Sequence, residues 1–372
     1  MQPETITTAT HENEKSHKKD RLHIHNIVAF NLTIYYISAV LAVTLLLLPV
    51  FYSCTSTAPE TAGTERNDRE EKAELTFRTD KAVKGYIDIL YFNDDRLRKL
   101  DSYMRAELGG SGRTESASRA GKKILVTIAN SPLNAEEYRK VLAYDDLQNL
   151  YAELKSENPD APVMYAENRV NAGYERECEI ALTPLLARIT LNSISCDFHG
   201  RPYEGKSLED VCVYLTDVCG RFPVNGKAST IPESILNAGK LEPSDTAGFT
   251  FGNLICSRRL GNIGETVRFP ETELFCYQNE ISQEGLGAGF TKLVIEGTLD
   301  GERTWYPIEI NRGQWCNTPD SAGVQAGKDY IFDITLTRRG VSSPDIAINL
   351  STVNCKFSVK PWTIKDEKTI TY

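Results

Sequence analysis

Apolar and polar residues alternate over short stretches through most of this chain. Leu75 and Phe77 alternate with Glu74, Thr76 and Arg78, the period-2 pattern of a half-buried strand. A second β-rich run, Tyr86-Ile87-Asp88-Ile89-Leu90-Tyr91-Phe92, stops at the turn formers Asn93, Asp94 and Asp95. Residues 97–105 resume the pattern, and 109–121 read as a polar loop. Residues 123–130 carry several consecutive apolar side chains, which predicts a strand buried on both faces. One helical interval follows. Asn134 with Glu136 and Glu137 reads as a helix start, Leu147, Leu150, Tyr151 and Leu154 recur at helical spacing, and Pro159 and Pro162 close the interval. Beyond Ala172 strands are expected at 187–198, 211–218, 292–299, 304–310, 330–337 and 346–359. Asp300-Gly301 sits between two of these runs and suits a type I′ hairpin, because both residues tolerate positive φ. The series predicts an all-β fold with minor helix. Its simplest form is two packed, antiparallel β-sandwich domains, 73–172 with a helical insertion and 173–372.

The N-terminal region breaks this pattern. Residues 27–52 contain no charged side chain, long enough as a helix to cross a bilayer core of roughly 30 Å. A retained membrane anchor and a signal peptide over 1–53 both fit, with Lys15, Lys18, Lys19 and Arg21 ahead of the apolar run. Ser53-Cys54 at its border resembles a lipoprotein signal, cut before a lipidated cysteine, although Phe51 and Tyr52 are bulkier than that pattern prefers. Residues 54–72 are rich in Ser, Thr, Pro, Gly and charge, which predicts a polar tether.

Composition narrows the chemistry. The 42 basic residues against 51 acidic ones give a net charge of −9, which disfavours nucleic acid as a partner. Four of the five histidines precede the apolar run, so a multi-histidine metal site is excluded and His199, in a turn-like context, stands alone. Gly285, Gly287 and Gly289 lack the strand-to-helix setting of a phosphate loop. The pairs Asp94-Asp95, Glu136-Glu137 and Asp145-Asp146 read as turn and helix-start acids. No catalytic residue, cofactor site or metal site is expected. Besides Cys54, eight cysteines (Cys178, Cys196, Cys212, Cys219, Cys256, Cys276, Cys316 and Cys355) show no C-x-x-C spacing, and sequence does not choose among their pairings. Asp245-Thr246-Ala247 and Asp320-Ser321-Ala322 match the short Asp-Ser/Thr-small pattern of an O-glycosylation site. At the far end, Cys355, Phe357 and Val359 alternate with polar residues, and Pro361 then interrupts the ladder.

The ordered series, more than any single motif, resembles the fimbrillins, the type V pilus subunits of Bacteroidales bacteria. It comprises the signal and tether, a short first strand, a buried strand ending in Ala129-Asn130, the segment Leu147 to Leu154, and Pro162-Val163-Met164-Tyr165. Leu182-Thr183-Pro184-Leu185-Leu186 resembles the family's entry into its second domain, and Tyr306-Pro307-Ile308-Glu309-Ile310, Ser343-Pro344-Asp345 and Val359-Lys360-Pro361-Trp362 resemble its C-terminal features. The resemblance covers about residues 73–372 and implies two transthyretin-like sandwiches and a non-enzymatic subunit, whether shaft, anchor or accessory. Such a subunit is exported, bears palmitate or a similar lipid on Cys54, and sits at the outer membrane in a surface fimbrium active in cell adhesion.

Its implied partners are other fimbrial subunits, joined by strand exchange, the outer membrane through the lipid, and a host or bacterial surface ligand. In that family a protease acting after an arginine removes the first strand, and a neighbour's strand fills the groove. Carried over, Arg78 is the cleavage candidate and Leu75 and Phe77 the groove fillers, with Trp362, Ile364 and Ile370 in a candidate donor tail. Only three residues separate Arg78 from the next apolar run, a shorter link than shaft subunits show, and Arg66 and Arg69 would leave the strand in place. A different class, a glycan-binding surface lipoprotein, would use Trp305, Trp315 and Trp362 as stacking platforms. On the lipoprotein reading, Cys54→Ala abolishes metabolic labelling by fatty acid and leaves an unprocessed precursor; persistent labelling overturns that reading.

Overall fold

A computed structural model of the chain describes residues 72–79, 83–107, 113–227, 232, 234–257, 259–281, 289–312 and 323–364. The signal (1–53), the tether up to residue 71 and the residues Cys54, Arg66, Arg69, Trp315, Cys316 and Ile370 lie outside this set. The described strands are β1 (Lys72–Thr79), β2 (Tyr86–Asn93), β3 (Leu100–Glu107), β4 (Arg113–Arg119), β5 (Gly121–Ala129), β6 (Tyr151–Glu153), β7 (Met164–Ala172), β8 (Glu177–Ile180), β9 (Thr183–Pro184) and β10 (Leu186–Cys196). They continue as β11 (Leu208–Thr216), β12 (Val218–Cys219), β13 (Arg221–Pro223), β14 (Ile235–Leu236), β15 (Gly261–Ile263), β16 (Thr272–Tyr277), β17 (Lys292–Leu299), β18 (Glu302–Glu309), β19 (Lys328–Leu336) and β20 (Val353–Pro361). One short helix, α1 (Ala135–Arg139), interrupts them. The fold is therefore all-β with minor helix.

Two pairs of sheets account for most strands. A five-stranded sheet in the order β3-β2-β5-β7-β9 faces a three-stranded one, β4-β1-β8. Further along the chain, β16-β10-β19-β20 faces β15-β11-β17-β18 across the main core. Pairing is mostly antiparallel, but β1–β8 and β10–β19 are parallel. Between β10 and β19 the chain crosses to the opposite sheet, returns as β16 antiparallel to β10, and crosses again through β17 and β18, after which β19 enters parallel to β10. β8 and β9 follow residue 172 yet pair with β1 and β7, so the first pair of sheets takes in chain up to Pro184.

The run 123–130 behaves as its composition predicts. In β2 and β5, Ile87, Ile89, Tyr91, Leu125 and Ala129 point into a core shared with the three-stranded sheet, while Leu90, Phe92, Ile124, Val126 and Ile128 point into the main core. Only one charge is tolerated on β2. Asp88, fully buried, accepts from Arg105 Nε (2.7 Å) and Nη2 (2.9 Å) and from the Tyr103 hydroxyl (2.7 Å), which satisfies the carboxylate inside the sheet. The hairpin at Asp300-Gly301 forms with φ of 51° and 79°, and Leu299 pairs with Glu302.

The structure departs from the pattern in several places: residues 346–352 are loop and a 3-10 turn ahead of β20, β7 and β16 are strands the pattern did not expect, and two further departures bear on the site. Residues 113–119 are not loop but β4, whose alternate Ser116 and Ser118 are buried, small enough to lie flat against β1. The expected helix through 147–154 is two 3-10 turns (Tyr144–Asn149 and Leu154–Ser156) around β6. Leu147 and Leu154 do face the core, but β13 supplies main-chain partners to Tyr151, Ala152 and Glu153, and that pairing overrides the local helical spacing. The true helix is confined to α1, where Asn134 and Glu137 make a reciprocal capping box.

The 154–163 segment ties the two pairs of sheets together. Glu157 is buried, with Tyr277 of β16 donating to Oε1 (2.8 Å) and the Val163 N–H donating to Oε2 (3.2 Å). Burial pushes this carboxyl up to about 7, against the opposing pull of its hydrogen-bond donors. A carboxyl whose folded pKa lies above its unfolded value stabilises the native state below about pH 4.5, and that contribution is lost as pH rises to about 7. Stability should therefore fall by up to about 3 kcal/mol across that window through this group alone. Urea unfolding of Glu157→Gln across the same range should show a flatter profile than the parent chain; an unchanged slope contradicts the assignment.

Candidate functional site

The first strand occupies an unusual place. β1 is the middle strand of the three-stranded sheet, antiparallel to β4 from Lys72↔Arg119 to Arg78↔Arg113 and parallel to β8 from Thr76↔Glu177 to Thr79↔Ile180. β4 and β8 do not pair with each other, so β1 alone joins them. From β1, Leu75 projects into the core between the two sheets, 1% exposed, and packs with Ile87, Ile89, Tyr91 and Leu125; Ala73 is buried beside it. The Tyr91 hydroxyl and Ser116 Oγ of β4 lie 2.6 Å apart and close one side of the slot, and burial pushes the phenol up to about 12.

The opposite face of β1 borders an open cleft of about 510 Å3 lined by Ala73, Glu74, Thr76, Glu115 and Arg176, among others. The strand is thus buried on one face and accessible on the other. Leu75, expected as a groove filler, is buried between the two sheets. The Phe77 and Arg78 side chains lie outside the described set, but the Arg78 backbone lies inside the ladder, opposite Arg113 and Glu179.

The C-terminal candidates divide differently. β20 is an edge strand paired only with β19; Cys355 and Phe357 are half-buried and Val359 is 42% exposed. Trp362, expected in the candidate donor tail, is buried: its indole lies 5.6 Å from the Phe275 ring, the Arg188 guanidinium sits over it, and the Trp362 main-chain N–H donates to Gly327 O (2.8 Å). Ile364 packs against both core clusters. Pro361 interrupts donation but not the path of the chain, so the apolar side chains beyond it still reach the core.

The remaining chemical candidates are occupied locally. Asp95 Oδ1 accepts from the Leu97 and Arg98 N–H groups, Asp146 Oδ2 from those of Leu142 and Ala143, and Glu137 caps α1. Exposed His199 bonds Glu204 through Nδ1 at 2.8 Å in a turn. Any side chain at Gly289 would collide with the Asp217 carboxyl, a packing reason for that glycine. Trp305, 7% exposed and covered by Lys240 at 4.8 Å, offers no open stacking face, nor does buried Trp362. Thr246 donates to Pro243 O within a half-exposed turn.

Comparison with solved structures interprets this architecture. A proposed cell adhesion protein of Bacteroides eggerthii DSM 20697 superposes with a TM-score of 0.57 at 17% identity, over 78% of this chain and 96% of that one. A second, from Parabacteroides distasonis ATCC 8503, gives 0.56 at 16% identity over 79% and 97%. A fimbrilin of Porphyromonas gingivalis W83 gives 0.55 at 13% identity over 80% and 98%.

The fold is fimbrillin-like.

No family model matches the sequence, and no curated protein matches it. The likeness spans nearly the whole of each neighbour, so it is one of complete architecture. What the sequence reading of this fimbrillin-like chain missed are the two walls of the slot, β4 and β8. The signal for β4 was the alternation of Thr114, Ser116 and Ser118 with Arg113, Glu115 and Arg119, masked by the lack of large apolar residues. If Trp362 is a core residue, Trp362→Ala costs about 3 kcal/mol in urea unfolding; a loss below about 0.5 kcal/mol returns it to the solvent-facing tail.

Proposed function

We propose that the protein is a structural, non-enzymatic subunit of a surface fimbrium that polymerises by replacement of its first strand. On this reading it is exported, held at the outer membrane through lipid on Cys54, and partnered by other fimbrial subunits. The observation that carries the proposal is the position of β1, the sole link between β4 and β8, which seals a core with Leu75. A strand so placed can be exchanged for a similar one: its loss exposes unpaired main-chain groups on both walls and an apolar slot between them, which together select an incoming strand with alternating apolar residues. The fimbrillin-like fold and the cell-adhesion and fimbrial descriptions of its structural neighbours support the same reading. Two sandwich domains are part of it, with their division after Pro184, where pairing to the first sheets ends and β10 begins.

Cleavage at Arg78 needs β1 to leave the ladder first, because its backbone is paired on both sides. An anchor or accessory subunit that keeps β1 is consistent with that requirement, and a shaft subunit is consistent with cleavage after transient opening. The test is a chain beginning at residue 79. It should form ladders of SDS-resistant multimers, whereas the chain retaining β1 stays monomeric, and Leu75→Asp in a synthetic β1 peptide should abolish the peptide's capacity to block the ladder. A truncated chain that folds as a monomer, or equal polymerisation of both chains, overturns strand replacement.

A further inference from the structure

Two thiols meet on the face of β11 turned away from the main core. Val211, Val213 and Leu215 of β11 point inward, so Cys212 and Tyr214 point outward. The segment around Cys256 runs antiparallel to β11: the Leu215 N–H donates to Ile255 O and the Ser257 N–H to Val213 O, both at 2.8 Å. Tyr214 and Cys256 are consequently a facing pair of the kind that lies between hydrogen-bonded pairs, the closer of the two antiparallel spacings. Cys212, two residues before Tyr214, is the diagonal neighbour of Cys256 on that face. The two Sγ atoms are 3.5 Å apart. Both residues are half-buried, within reach of a dissolved reagent, in contrast to Cys196 and Cys276, sealed in the core at 2% and 0% exposure.

We propose that Cys212 and Cys256 form a disulfide by exchange with an external disulfide, and that this bond straps the intervening chain across the outer face of the sheet. In the first step the Cys212 thiolate attacks one sulfur of the oxidant, breaking its S–S bond and releasing one thiol. In the second, the Cys256 thiolate attacks the Cys212 sulfur of the mixed disulfide and expels the second thiol. The oxidant is reduced by two electrons, and the two protons lost by the cysteines end on its two thiols. Cys212 is the better first nucleophile: the hydrogen bond from Cys256 holds its thiol below the ordinary value against the effects of burial and of the Glu296 carboxylate, and Arg259 and Arg303 act in the same direction as the hydrogen bond.

The strapped segment explains what the bond would do. Among the described residues between the two cysteines, the chain beyond the end of β11 holds the short strands β12, β13 and β14. It nevertheless covers the outer cluster of Tyr214, Val294 and Trp305, with Leu241 packed on it and Lys240 over the indole. A cross-link closing a loop of this length removes freedom from the unfolded chain, while the sulfurs already in contact ask little movement of the folded one. The proposal does not depend on the fimbrial reading.

The test uses the purified full chain, incubated with oxidised glutathione, alkylated and mapped without reduction. A peptide linking Cys212 to Cys256 is expected, and reduction should lower the thermal midpoint by several degrees and speed proteolysis within 217–255. Cys212→Ser and Cys256→Ser should each lose the linked peptide, and the double variant should unfold at one temperature with or without reductant. Full alkylation of both cysteines after oxidation, linkage of either to another cysteine, or a glutathione adduct that persists on Cys212 overturns the proposal. The parent map decides the question even where a serine variant fails to fold.

Discussion

The central constraint on this fold is that β2 and β5 are apolar on both faces. A sheet whose middle strands bury Ile87, Ile89 and Tyr91 on one side and Leu90, Phe92 and Val126 on the other must be covered twice. At roughly 25 cal/mol per Å2 of apolar surface, leaving either face wet would cost an amount comparable to the about 5–15 kcal/mol by which a domain is usually stable. The chain solves the two faces differently. The insertion carrying α1, Leu147 and Leu154 covers one side and merges with the main core, while the three-stranded sheet covers the other.

That asymmetry leaves the two covers held by unequal sets of contacts. The insertion is tied to the later sheets by β6–β13 pairing and by the buried Glu157–Tyr277 hydrogen bond, so it cannot leave without breaking several unlike contacts at once. The cover on the other side depends on one strand. Among the described residues β4 and β8 reach each other through β1, and of its described side chains Ala73 and Leu75 are the buried apolar ones. An element with few buried side chains and a regular main-chain ladder is interchangeable with any strand of matching alternation, because the ladder is indifferent to sequence and the slot asks for one or two apolar groups. Proposed strand replacement follows from this economy of contacts.

Much of this was legible in the sequence, for identifiable reasons. Runs such as 292–299, and the Asp300-Gly301 turn, declare themselves because strand period and turn chemistry agree. The double burial of β5 was visible as consecutive apolar residues. The helix through 147–154 was misread because a 3-10 turn, a strand and a second 3-10 turn place Leu147, Leu150 and Leu154 at spacings that imitate 3.6, and nothing local reveals the partner β13, some seventy residues away. β4 was missed for the opposite reason: serines buried against a neighbour carry no hydrophobic signal. Burial of Trp362 was hidden by Pro361, which marks the end of hydrogen-bond donation but says nothing about where the next side chain points.

The two ends of the described chain can be ranked as candidates for exchange by what each would give up. β20 has a single neighbour, and its outward residues are exposed, so its ladder is the easier to part. Its continuation is the opposite: Trp362 lies between the tilted Phe275 ring and the Arg188 guanidinium, and Ile364 touches both cores, so lifting this end removes one of the largest side chains from the interior. β1 has two neighbours, but Leu75 is far smaller than an indole, and an incoming strand restores both ladders in full. A replaced main-chain hydrogen bond returns its energy, whereas a vacated aromatic site leaves a cavity unless an aromatic side chain refills it. On the proposed reading the balance favours exchange at the first strand, because Trp362 holds the C-terminal end to the core more firmly than Leu75 holds β1.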